Sequence, residues 1–131
     1  MRLLPDTHCW LWWGLEPARL GTKTRELLEN PANDAYFSVV CAWEISVKSA
    51  FGKLELELTP ADFVRAAITK ATASILPIGL RHALTAGMLP AIHPDPFDRM
   101  LVAQAQCNDL TIITADHDVA KYSINVQDAT A

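Results

Sequence analysis

Three cysteines in 131 residues are too few, and odd in number, for a disulfide framework. Cys9, Cys41 and Cys107 each lie in an apolar stretch with no metal-ligand spacing, so they read as reduced core residues of a cytosolic protein. The histidines, His8, His82, His93 and His117, are scattered and form no zinc pattern. Glycine is scarce, and there is no Gly-rich phosphate loop. No Gly-x-Ser-x-Gly motif is present to support acyl transfer. No apolar run approaches the ~18 residues of a membrane span. Met1-Arg2-Leu3-Leu4-Pro5-Asp6 reaches an acid too early for a signal peptide, so the expected location is cytoplasmic and away from membranes. Basic residues form no run, and the formal net charge is −4. Affinity for nucleic acid cannot then rest on global charge. An RNA substrate stays open if cations sit on the acids and lysines and arginines are grouped locally.

What is present is a core. Half of the residues are hydrophobic, enough for one domain over residues 1–131. Arg2 to Pro5 reads as a short strand, followed by Asp6-Thr7 and a helix from His8. Thr22 to Asn30 reads as helix and Ala35 to Ser38 as strand. Ser38 can cap a helix over Val39 to Phe51, with Gly52 beyond its end. Thr59 caps another helix that runs to about Thr72. Ile75 to Ile78 predicts a strand, at an edge because of Pro77. A short helix over Arg81 to Met88 follows, then a helix opened by Asp95-Pro96, then a strand over Thr111 to Thr114. A helical turn at 117–122 and a last strand over Ile124 to Val126 complete the chain. Strands alternating with helices imply an α/β fold with a parallel sheet covered on both faces.

Four acids share a logic. Asp6 and Asp116 end strands, Asp98 opens a helix, and Glu44 projects from the first half of another. If the first and fourth strands are neighbours, these carboxylates converge where parallel sheets bind ligands. Crowded carboxylates repel, and a divalent cation relieves that repulsion. Oxygen ligands favour Mg²⁺ or Mn²⁺, which make a bound water more nucleophilic and stabilise charge developing on a phosphate. Each acid also has a plainer reading. Asp6 and Asp95 can be helix caps, and Glu44 can be an exposed i,i+4 partner of Lys48.

The sequence resembles the PIN-domain nucleases, and within them the VapC-type toxins. The resemblance lies in Leu3-Leu4-Pro5-Asp6-Thr7-His8, in Trp43-Glu44-Ile45-Ser46-Val47-Lys48, in Asp95-Pro96-Phe97-Asp98-Arg99-Met100 and in Thr114-Ala115-Asp116. It implies a three-layer α/β/α sandwich with a five-stranded parallel sheet. It implies a Mg²⁺- or Mn²⁺-dependent endoribonuclease with Asp6, Glu44, Asp98 and Asp116 in the catalytic site. Asp6, Asp98 and Asp116 would ligate metal, and Glu44 would orient water or a second ion. Thr7 and Thr114 would support the cluster by hydrogen bonds. Arg99 would meet a phosphate or form a salt bridge, and Asp118 would support the metal or cap a helix. Trp10, Trp12 and Trp13 read as core or partner surface rather than as a base-stacking platform. The resemblance also implies a homodimer and a cognate antitoxin of Phd/YefM type. Competing readings are a PIN fold kept as an inactive binding module and a receiver-like phosphoacceptor domain. Receivers carry paired acids after the first strand, and here Asp6 stands alone.

Overall fold

Continuous apolar runs, unlike alternating ones, belong to strands buried on both faces. The computed structural model describes residues 1–131 and places such runs centrally. Strand β1 is Arg2–Pro5, followed by helices α1 (Thr7–Leu15) and α2 (Thr22–Glu29). Next come β2 (Asp34–Ser38), α3 (Val39–Ala50) and α4 (Pro60–Ala71). β3 (Ser74–Leu76), α5 (Leu80–Met88) and α6 (Pro96–Asn108) follow, then β4 (Thr111–Thr114) and β5 (Asn125–Asp128). Short 3₁₀ turns occupy Pro17–Arg19 and Val119–Lys121.

The sheet is parallel throughout, in the order β3-β2-β1-β4-β5. From β1 the chain steps one way to β2 and β3, then crosses back to β4 and β5. Right-handed crossovers then place α1 to α4 on one face and α5 and α6 on the other. Consistent with this, α1, α3 and α4 contact one another and α5 packs on α6. Leu3, Leu4, Ile112 and Ile113 of the two central strands are sealed between these layers. Trp10 packs against Phe37 with ring centroids 4.9 Å apart and planes tilted by 37°, within the same contiguous core. Each such side chain contributes about 1.5–3 kcal/mol of hydrophobic stabilisation.

The elements depart from the sequence expectation at their ends. Helix α1 starts at Thr7 rather than His8, which makes Asp6 its N-cap. The third strand stops at Leu76, before Pro77, which has no N–H to give a ladder. The last strand is shifted to Asn125–Asp128, where Asp128 pairs beside Thr114. A buried polar link ties the layers together. Ser38 Oγ accepts the Val40 amide at 3.1 Å and donates to Gln104 Oε1 at 2.6 Å, and Gln104 Nε2 donates to Pro77 O at 3.3 Å.

Candidate active site

The carboxyl ends of β1 and β4 are stitched together by one hydroxyl. Asp6 Oδ1 accepts the Cys9 amide at 2.9 Å, and Oδ2 accepts the Thr114 hydroxyl at 2.6 Å. Thr114 Oγ1 in turn accepts the Asp116 amide at 3.0 Å. The Asp6 amide donates to Ile113 O at 3.0 Å, so β4 fixes the start of α1. Across the cavity, Asp95 caps α6 by accepting the Phe97 amide at 2.8 Å, with Asp98 in the first turn behind it. Asp116 Oδ1 accepts the Asp118 amide at 2.8 Å, and Oδ2 lies 2.7 Å from His93 Nε2. The same Nε2 lies 3.2 Å from Asp98 Oδ2. Asp6, His8, Trp12, His93, Asp95, Asp98 and Asp116 line one cavity of about 310 Å³. Glu44 is buried behind it in α3, 2.5 Å from Lys48 Nζ, and its charge acts on both Asp6 and Asp98.

These charges shift one another. Burial raises Asp6, against the lowering effect of its Thr114 and Cys9 hydrogen bonds. Burial, and then the charges of Asp95 and Asp6, push Asp98 up to about 7. Burial also acts to raise Asp116, but its bonds to His93 and the Asp118 amide outweigh it and hold Asp116 below the usual carboxylate range. For His93, burial opposes the charged form and the surrounding carboxylates favour it, with a net rise. Yet His93 Nδ1 accepts the Asp95 amide at 3.1 Å, and a fixed N–H donor leaves that nitrogen no room for a proton. Geometry decides the state in this pose. The ring is an Nε2–H donor directed at Asp116 and Asp98. Asp98 and Asp116 bring carboxylate oxygens within 4.8 Å of each other, and Asp6 lines the same cavity outside that cluster, its charge acting on Asp98. Oxygen donors gathered in this way fit a hard divalent cation.

The family model for the PIN domain matches residues 3–125. The chain belongs to the PIN-domain family. No curated protein matches it in sequence. Among solved structures, this PIN domain is similar to a chain of VapBC2 from Rickettsia felis, with a TM-score of 0.74 at 12% identity over 97% of this chain and 98% of that one. It is similar to a chain of VapBC-1 from nontypeable Haemophilus influenzae, with a TM-score of 0.63 at 18% identity over the whole of both chains. A toxin–antitoxin complex from Klebsiella pneumoniae gives a TM-score of 0.65 at 19% identity over 97% of each chain.

The PIN fold thus brings Asp6, Asp98 and Asp116 to one cavity, with Glu44 adjoining it from behind. Several expectations need correction. Glu44 does pair with Lys48, but as a buried group, not on an exposed face. Arg99 meets neither a phosphate-binding surface nor an acid. Its guanidinium donates to Pro90 O and Ala86 O at 2.9 Å and to Leu89 O at 3.0 Å, bracing the loop that carries His93. Adjacent helix positions project about 100° apart, so Arg99 could not share the face of Asp98. The Thr7 hydroxyl is buried and faces the Cys41 thiol rather than an acid. The Asp118 carboxylate pairs with Lys121 at 2.9 Å, and only its backbone amide reaches Asp116. His93 is the PIN residue that sequence reasoning missed. Its one signal is position, two residues before the cap Asp95, where a side chain can fold back over the helix start.

Proposed function

We propose that this PIN domain is a divalent-cation-dependent endoribonuclease and the toxin of a toxin–antitoxin pair. The observation that carries the reading is the convergence of Asp6, Asp98 and Asp116, with Asp95 beside them, on one cavity, with Asp98 pushed up to about 7 by burial and its neighbours. Asp6, Asp98 and Asp116 would hold Mg²⁺ or Mn²⁺, which supplies a more acidic water and charge stabilisation at phosphate. Thr114 orients Asp6, the Asp118 amide orients Asp116, and Glu44 adds negative potential behind Asp6 and Asp98. Glu44 would orient water or a second ion. A hydrolysis here adds water to a phosphodiester phosphorus, breaks one P–O bond and returns the proton to the leaving oxygen.

RNA as substrate draws support from a second groove of about 430 Å³. It shares His8 and Trp12 with the carboxylate cavity and carries Arg19, Lys48 and Lys53. In a chain of net charge −4, these three cations against the single groove acid Glu16, beside the carboxylate cavity, suit a phosphate backbone. The toxin role rests on similarity to solved toxin–antitoxin complexes. It carries with it a cognate antitoxin, of Phd/YefM type, a homodimer and a cytoplasmic location. No helix is long and apolar enough to cross a membrane.

The test is direct. Asp6→Asn and Asp98→Asn should each abolish RNA cleavage and growth inhibition while far-UV circular dichroism stays native. EDTA should stop the wild type and Mn²⁺ should restore it. Co-expression of the product of the adjoining gene should remove toxicity. Either variant cutting at the wild-type rate would sink the assignment.

A further inference from the structure

The ligand-capable atoms of His93, Asp98 and Asp116 all lie within 4.8 Å of one another, which looks like a three-residue metal site. The hydrogen-bond polarity around His93 contradicts that appearance. A histidine that ligates through Nε2 is deprotonated there and donates its other N–H to an acceptor. Here Nδ1 faces the Asp95 N–H at 3.1 Å, so protonating Nδ1 would set two donors against each other. That polarity assigns the proton to Nε2, 2.7 Å from Asp116 Oδ2 and 3.2 Å from Asp98 Oδ2. One N–H therefore bridges two carboxylates, which is what a cation would do.

We propose that His93 is a positioning residue that occupies the cation's place between Asp98 and Asp116, so that a divalent ion binds only by displacing the imidazole. The inference rests on reading the cavity as a metal centre. The ring is well held for this task. The His93 amide donates to Tyr122 Oη at 2.9 Å, and Tyr122 Oη donates to Pro90 O at 3.1 Å. Arg99 also grips Pro90 O, so the backbone at His93 is braced and the side chain must leave by rotating about its own bonds. In the absence of a cation the imidazole N–H serves both acids. When a cation arrives, that favourable contact is lost and subtracts from the affinity for metal.

The test is Mn²⁺ titration calorimetry on the full chain, comparing wild type with His93→Asn and His93→Ala. Asparagine at this position can still accept the Asp95 amide through its side-chain oxygen, which preserves the local turn. It is too short to bridge the acids. Both variants should bind Mn²⁺ more tightly, by about tenfold or more, which is what an unbroken charge-assisted hydrogen bond would otherwise subtract. Their metal-free melting temperature should fall while the shift produced by Mn²⁺ grows. If His93 were a ligand, both variants would bind more weakly. If it were only a packing residue, the dissociation constant would not move while stability dropped. Either result overturns the proposal. A wild type that binds no Mn²⁺ and cuts no RNA would instead overturn the metal-centre reading itself.

Discussion

Burial and the charges of Asp95 and Asp6 push the Asp98 carboxyl up to about 7, from an ordinary value of 3.8. The folded state then holds a proton that the unfolded chain has released between pH ~4 and ~7, so stability falls as pH rises through that window. Below ~4 both states are protonated, and above ~7 the penalty is complete. Asp98→Asn carries no ionisable group and should lose this dependence. Without cation, the variant should melt close to wild type near pH 4 and above it at pH 8, even as it ends catalysis. Mg²⁺ should stabilise wild type by mass action and the variant less. Melting curves in EDTA across this range check it, and a constant gap between the two proteins would remove Asp98 from a charged cluster. The acids themselves were legible as residue types placed at strand and helix ends. His93 was not, because nothing in a sequence tells which side chain folds back over a cap. The place of Arg99 on the carbonyls of Ala86, Leu89 and Pro90 is equally hidden, since those partners lie at the end of α5 and just beyond it, brought to Arg99 only by the fold.

At the scale of elements, α6 sets two acids at its start with different surroundings. Asp95 accepts the Phe97 amide, Pro96 sits at the first helical position, and Asp98 lies in the same turn. The helix dipole favours both acids, yet burial of Asp98 outweighs it. Asp95→Ser should retain the cap, the amide that holds His93 and most of the activity. Asp95→Ala should lose about 0.5–2 kcal/mol of stability in urea unfolding. Loss of all activity in a folded Asp95→Ser protein would make Asp95 part of the chemistry. Helix α3 teaches the complementary lesson about legibility. Val40, Cys41 and Ile45 are buried, and Glu44 lies within their stripe. That spacing alone points Glu44 inward, whereas Trp43 is turned outward onto Phe97 at 4.9 Å. An i,i+4 pair with Lys48 is compatible with an exposed Glu44, but the buried Val40 and Cys41 four and three positions earlier turn it inward.

For the whole molecule, topology decides where the chemistry sits. The chain leaves β1 in one direction and β4 in the other, so the crossovers diverge at the β1–β4 boundary, where parallel sheets open a crevice. Asp6 and Asp116 follow these two strands. Sequence pattern supplied the strands and their parallel character, but their order depends on long-range packing that no local pattern encodes. The same geometry brings the basic groove up to the acids through Trp12, with Arg19 4.4 Å over its ring. Lys48 is engaged by Glu44, which leaves Arg19 and Lys53 as the cations free to meet a phosphate backbone. Besides its place over the Trp12 ring, Arg19 has a 3.8 Å contact with exposed Glu16 to compete with that. Replacing both with glutamine in an Asp98→Asn background should therefore weaken binding of a single-stranded oligoribonucleotide without altering Mn²⁺ affinity. Each lost phosphate contact makes the negative slope of log affinity against log salt shallower by about 0.7, so loss of the pair should make it shallower by about 1.4. Fluorescence anisotropy across a salt series measures that slope. An unchanged slope would mean that the RNA runs elsewhere on the surface, while a slope near zero in the parent would mean that this cavity serves no polyanion.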